Sequence, residues 1–175
     1  MVLDIPAPSL VVLCGPVGSG KTTFAAARFP PTEIVSTDTL RALVGEDESD
    51  VRASRDAFDL LYEVCRRRLR RRLTTVVDST ALNPRVRSRL RRIAREARVP
   101  CLLLAFDVPL EECVRRNAAR GRQVCDDVIV SQSEAFRRVR DKLALEGYSE
   151  VRIVDAAGEI AGRDAGPGTR LRRAP

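Results

Sequence analysis

An α/β fold, a doubly wound parallel sheet flanked by helices, is predicted by three observations. Short runs rich in Val, Leu and Ile recur at Leu10–Cys14, 33–36, 74–78, Cys101–Phe106 and Glu150–Val154. Longer stretches with apolar residues at helical spacing lie between them. The first run passes directly into Gly15-Pro16-Val17-Gly18-Ser19-Gly20-Lys21-Thr22, which fits the phosphate-loop pattern G-x-x-x-x-G-K-[ST] in its required strand, loop and helix setting. Regular alternation of strand and helix calls for a parallel sheet covered on both faces, with right-handed crossovers.

Each element has its own signal. The first strand, 10–14, is wholly apolar, and residues 22–28 form the helix that leaves the loop. A short strand at 33–36 leads into a helix over Thr37–Val44 that opens at Thr37 or Asp38. Residues 51–72 place Ser54, Phe58, Leu61, Tyr62, Cys65 and Leu69 at helical spacing, giving one long amphipathic helix. A strand at 74–78 precedes a helix over 84–97, with Pro84 suited to its first turn. The apolar strand 101–106, a helix over 109–119, a break at Gly121, a long helix over 124–146 closed by Gly147 and the strand 150–154 complete the order. Residues 1–155 read as one domain, and 156–175, rich in Gly, Ala and Arg without periodicity, as a flexible tail.

Composition narrows the chemistry. The 175 residues contain no histidine, which excludes Ser-His-Asp hydrolysis, histidine metal centres and histidine general bases. The five cysteines, Cys14, Cys65, Cys101, Cys113 and Cys125, form no C-x-x-C pair and are expected to be reduced and mostly buried. No run reaches the roughly 20 apolar residues of a membrane span, and the first residues lack a signal peptide's pattern, so a cytoplasmic protein without membrane contact is expected. A net charge of +7 points to a polyanionic partner, although arginines also decorate solvated faces.

In the loop, glycines at 15, 18 and 20 let successive N–H groups turn inward as an anion cradle at a helix terminus. Lys21 then reaches the β and γ phosphates of a nucleotide and the Thr22 hydroxyl holds Mg²⁺. Lys21 and Lys142 are the only lysines in a chain otherwise supplied with arginine, which marks position 21 as one where a point charge is needed.

Acidic candidates fall at the carboxyl ends of strands, where α/β sheets bind ligands. Asp38, with Arg41 one turn later, is a general base aimed at the γ phosphate or a simple helix cap; the residues alone leave both open. Asp78 is preferred to Asp107 as the Walker B type carboxylate that holds Mg²⁺ through water. Arg116 and Arg120, four apart, and Arg122 beyond Gly121 suit an arginine-bearing lid, while any single arginine in so basic a chain also suits plain surface. The run Arg66-Arg67-Arg68-Leu69-Arg70-Arg71-Arg72 is read first as a solvated helix end and second as a nucleic-acid contact.

These segments together closely resemble the kinase domain of bacterial polynucleotide kinase-phosphatases, the 5′-OH end-healing modules of RNA repair proteins. The likeness rests on residues 15–22, on Ser36-Thr37-Asp38-Thr39-Leu40-Arg41 with Leu43-Val44-Gly45-Glu46-Asp47-Glu48, on Thr75-Val76-Val77-Asp78-Ser79-Thr80, and on Arg116-Asn117 with Arg120, over roughly residues 8–155. The family has Asn where this chain has Ala81, and its lid is one residue longer than Arg120-Gly121-Arg122-Gln123-Val124. The resemblance implies a P-loop kinase fold with a helical arginine-bearing lid. It further implies ATP and Mg²⁺ as cofactors: Gly15, Pro16, Val17, Gly18, Ser19, Gly20, Lys21, Thr22 and Thr23 around the nucleotide, Thr22 and Asp78 at the metal. Asp38 would be the general base for a polynucleotide 5′-OH, Arg41 a contact to the acceptor phosphate, and Arg116 and Arg120 lid arginines. Phosphatase or ligase partners would reside on separate chains. A small-metabolite kinase and an ATP-binding regulatory module without transfer activity are the competing expectations.

Overall fold

In a computed structural model that describes residues 4–119, 121 and 123–160, the expected alternation is realised. Five strands, β1 (Leu10–Cys14), β2 (Ile34–Ser36), β3 (Thr75–Asp78), β4 (Cys101–Phe106) and β5 (Glu150–Val154), form one sheet in the order β2-β3-β1-β4-β5. Every pairing within it is parallel. β1 lies at the centre, and all its residues and those of β4 are buried, which explains why both read as unbroken apolar runs rather than as alternations.

The helices are α1 (Lys21–Arg28), α2 (Thr37–Val44), α3 (Ser54–Arg70), α4 (Pro84–Glu96), α5 (Leu110–Ala118) and α6 (Asp126–Arg140). α3 and α4 cover one face of the sheet through Leu61, Leu69, Leu90 and Ile93. α1 and α5 cover the other through Phe24, Ala25 and Cys113. Burial of each large apolar side chain stabilises the layers by about 1.5–3 kcal/mol. α6 joins both cores, with Ile129 in the α1/α5 layer and Phe136 in the α3/α4 layer.

Three boundaries differ from expectation. Residues 51–53 form a 3₁₀ turn ahead of α3, because Asp50 accepts from the Arg52 N–H at 3.0 Å and sets a separate cap there. The helix expected over 124–146 is two pieces, α6 and a 3₁₀ turn Leu143–Glu146 that swings Glu146 beneath α4. The expected tail begins with order: the Asp155 N–H donates to Glu159 O at 2.9 Å, and Ile160 bridges back to Val154. Residues 161–175 lie outside the described residues. No helix among the described residues is long and apolar enough to cross a membrane.

Candidate functional site

The phosphate loop leaves β1 at the carboxyl edge of the sheet. The Gly15 N–H donates to Thr80 O at 3.0 Å, which ties the loop to the chain leaving β3. Gly18 has φ +80°, and a Cβ there would collide with the Cys113 carbonyl of α5, so both backbone angle and space require glycine. Gly20, at φ +91°, is the N-cap of α1. Lys21 is buried and folds back over the loop, its Nζ donating to Pro16 O at 2.6 Å and to Ser19 Oγ at 3.2 Å. The loop therefore already gathers the lysine against its own carbonyl.

Thr22, the next residue, donates from Oγ1 to Asp78 Oδ2 at 2.8 Å. Adjacency of β3 to β1 brings this about, and the parallel register of Ser36 with Asp78 adds β2, whose following Thr37 hydroxyl donates to Asp78 O at 3.4 Å. A hydroxyl and a carboxylate are the hard oxygen donors Mg²⁺ accepts while keeping most of its waters. The Thr22–Asp78 pair, two oxygen donors within hydrogen-bond distance of each other, fits Mg²⁺ in this hydrated mode. Asp107 is engaged elsewhere, with Arg140 at 3.0 Å and its N–H on Val154 O, and stands apart from the Thr22–Asp78 pair.

Ser36, not Asp38, caps α2, since the Asp38 N–H donates to Ser36 Oγ at 3.2 Å. The carboxylate of Asp38 is thereby released from capping and pairs with Arg41. Asp38 is 54 % exposed, and Arg41 keeps a buried Nε with no hydrogen-bond partner. The result is an open, charged acid–guanidinium pair near the end of β2, available to a group arriving from solvent.

Arg116 joins α5 to the phosphate loop and to the turn after β5. Its Nε donates to Glu112 Oε1 at 2.6 Å, one terminal nitrogen to Ser19 O at 3.4 Å and the other to Ala156 O at 2.6 Å. Hydrogen bonds from Arg115 and Arg116 hold the Glu112 carboxyl down to about 2, so it stays ionised. Beside Arg116 opens a cleft of about 440 Å³ whose lining includes Gly20, Thr23, Phe24, Arg116, Ala156 and Gly158. Arg28 lies 4.0 Å above the Phe24 ring and donates to Gly158 O at 3.1 Å, closing one end. Arg120 and Arg122 fall outside the described residues.

Three contributors escaped the sequence reading. The turn at 155–158 walls the cleft, and its signal is Asp155 three residues before Gly158, with Oδ1 accepting the Glu159 N–H at 2.9 Å. Arg87 is 1 % exposed, clasps Glu146 through two nitrogens, and donates to the carbonyls of Ala81 and Leu82 at 2.8 Å each. Its sequence signal is an arginine in register with Leu90 and Ala94 on the buried stripe of α4. Gln132 accepts the Val17 N–H at 2.8 Å from α6.

The arginine run 66–72 sits where α3 reaches the amino edge of the sheet, opposite the loop. Arg66 and Arg67 pair with Glu63, Arg68 donates to Thr74 O and Thr75 Oγ1, and Arg72 donates to Ala97 O. Helix-end and strand-end contacts thus engage these four, while Arg70 and Arg71 are exposed to solvent. Burial pushes the thiols of Cys14 up to about 11 and of Cys65 and Cys101 up to about 12, leaving them inert; Cys125 is exposed.

The family model described as AAA domain matches residues 10–143. No curated protein matches the sequence. Among solved structures, a chain of the Pnkp1/Rnl/Hen1 RNA repair complex is similar with a TM-score of 0.67 and 21 % identity, over 81 % of this chain and 48 % of that one. This chain therefore spans about half the length of that relative. A gluconokinase from Sinorhizobium meliloti 1021 gives a TM-score of 0.56 and 21 % identity over 87 % and 85 % of the two chains. The APS kinase of Mycobacterium tuberculosis gives 0.51 and 22 % over 65 % and 70 %. Similarity at these identities is a statement about fold: a P-loop kinase-like sheet with its flanking helices.

Proposed function

This chain belongs to the AAA domain family, and from that premise we propose that it is an ATP-dependent polynucleotide 5′-hydroxyl kinase. The observation that carries the reading is the Asp38–Arg41 pair, freed from capping by Ser36 and standing open at the edge that bears the phosphate loop. In the reaction Asp38 takes the proton of the 5′-OH as its oxygen attacks the γ phosphorus in line; the bond to the β-phosphate oxygen breaks and ADP leaves. Lys21 and Arg116 offset the charge that builds on the transferred group and the leaving oxygen. Thr22 and Asp78 would hold Mg²⁺, which would supply charge neutralisation for the nucleotide phosphates. Arg41 would take the phosphate that follows the first nucleoside, and Thr23, which lines the cleft beside Arg116, would face the nucleotide.

An acceptor with a chain attached needs an unroofed site. Leu43 on α2 and Val51 just after that helix are 70 % and 74 % accessible, and α4, which starts just beyond Ala81, presents Arg85 and Arg92 to solvent. The resemblance to polynucleotide kinase motifs and the fold shared with a chain of an RNA repair complex agree with this reading. A small-metabolite kinase is the second reading, favoured by the gluconokinase likeness over most of both chains. Incubation with γ-labelled ATP and 5′-OH RNA and DNA oligonucleotides, beside a panel of sugars and nucleosides, decides between them. Label on oligonucleotide ends is expected; label on a metabolite alone overturns the proposal in favour of the second reading.

A further inference from the structure

One hydrogen bond in the site has no part in the reading above. α6 runs from the Ile129 end, embedded in the α1/α5 layer, to the Phe136 end, embedded in the α3/α4 layer. Between these anchors, Gln132 meets the phosphate loop, its Oε1 accepting the Val17 N–H at 2.8 Å. That N–H belongs to the same peptide group as the Pro16 carbonyl, which receives Lys21 Nζ at 2.6 Å and Ser19 Oγ at 2.8 Å. In a planar trans peptide the N–H and C=O point in opposite directions. Gln132 and Lys21 therefore grip the two edges of one peptide plane, from a helix and from the loop itself.

We propose that Gln132 is a positioning residue of the phosphate site, which holds the Pro16–Val17 peptide plane and through it presents the Lys21 ammonium. Rotation of this plane would turn its carbonyl away from Lys21 and send the Val17 N–H in its place, leaving two donors face to face. Pro16 cannot resist such rotation by itself, because its ring fixes φ but leaves ψ, the angle that turns this plane, free. An acceptor on the Val17 side is the missing restraint, and Gln132 supplies it from an element fixed in both cores. The side-chain oxygen is what matters, so Glu at 132 retains the restraint and Leu or Ala does not.

The proposal rests on the nucleotide-binding half of the proposed function and not on the identity of the acceptor. Its test is amide hydrogen exchange at Val17, resolved by NMR, in the wild type and in Gln132→Ala, Gln132→Leu and Gln132→Glu, together with nucleotide binding and phosphoryl transfer. Val17 exchange is expected to accelerate about 5–10-fold in the Ala and Leu variants and to remain near wild type in Glu, the size of one net hydrogen bond. Turnover in Ala and Leu should fall by a similar factor, with KM for ATP changed less than kcat, since Lys21 misplacement weighs on the transition state. Unchanged Val17 protection in the Ala and Leu variants overturns the proposal. So does a lowered melting temperature with normal turnover per folded molecule, which is the mark of packing alone. Failure of transfer to every polynucleotide end, with the Val17 exchange pattern as expected, overturns the proposed function and leaves the role of Gln132 standing.

Discussion

Thr22 and Asp78 are 56 residues apart in the chain, yet the hydroxyl of one donates to the carboxylate of the other at 2.8 Å. The pair joins the first residue past the loop lysine to the last residue of β3, and only the placement of β3 beside β1 allows it. Asp78→Asn keeps the shape and removes the charge. The expected result is a 10–100-fold rise in the Mg²⁺ concentration for half-maximal activity, read from a magnesium titration at saturating ATP. An unchanged titration would remove Asp78 from the metal site.

Asp38 is exposed and is not the cap of its helix, so its substitution should leave the fold intact. Asp38→Asn is expected to lower kcat by about 10²–10⁴-fold, the usual worth of a general base. ATP affinity, measured by calorimetry, should stay within about threefold of wild type. Full retention of biological function by this variant would instead identify a regulatory nucleotide-binding module.

Exposed arginines on α4 are expected to guide a long acceptor. Arg85→Glu with Arg92→Glu should raise KM for an oligonucleotide of about 20 residues severalfold, flatten its salt dependence, and leave a dinucleotide acceptor little changed. Steady-state kinetics at two salt concentrations read this directly. Equal effects on both acceptors would place the strand elsewhere.

Glu146 and Glu112 both contribute to the behaviour in acid. Glu146 is half-buried, and burial alone would raise its pKa; hydrogen bonds and charge from Arg87 and Arg91 outweigh that and hold it below its usual value. Glu112 is held down to about 2 by Arg115 and Arg116. Folded values below the unfolded ones mean that both contribute stability above the ordinary glutamate pKa of about 4.3, and that this is lost as pH falls below it. The melting temperature should therefore decline from pH 5 to pH 2, and less steeply in Glu112→Gln. Glu146→Gln leaves the buried Arg87 without its counter-charge and should cost about 3–5 kcal/mol near neutral pH, measured by urea unfolding.

Ala81 occupies a left-handed conformation, φ +46°, and its carbonyl accepts from Arg87. An L-residue with a Cβ pays about 1–2 kcal/mol there, partly returned by the greater unfolded freedom of glycine. Ala81 is also buried in the core, so loss of its methyl offsets the strain released, and Ala81→Gly is expected to leave stability within about 1 kcal/mol of wild type, read from thermal unfolding. The Asn that the resembling family has at this position suits the same backbone region.

Local patterns made much of this legible beforehand. An unbroken apolar β1, a complete loop motif and the spacing of Asp38 and Arg41 each declare themselves within a few residues. Adjacency to β1 does not separate Asp78 from Asp107, since β4 flanks β1 as β3 does; what separates them is the Thr22 hydroxyl, 56 residues from Asp78. Arg87 could not be told from Arg85, Arg89 or Arg91, since what separates it is Glu146, 59 residues away. Gln132 is 115 residues from the amide it holds. The composition after β5 reads as tail, and the turn there depends on Asp155 closing onto Glu159. For Asp78, Arg87 and Gln132 a distant partner determines the role, and no local period records it.

Gly18 meets α5 with main chain against main chain, and no side chain cushions the approach. A joint of that kind has no rotamer to adjust and no methyl group to trim. The phosphate loop and α5 at Cys113 are consequently joined as a single casting. Side chains past that point on α5, such as Arg115 and Arg116, remain open to change, while the wall shared with the loop admits no gradual variation.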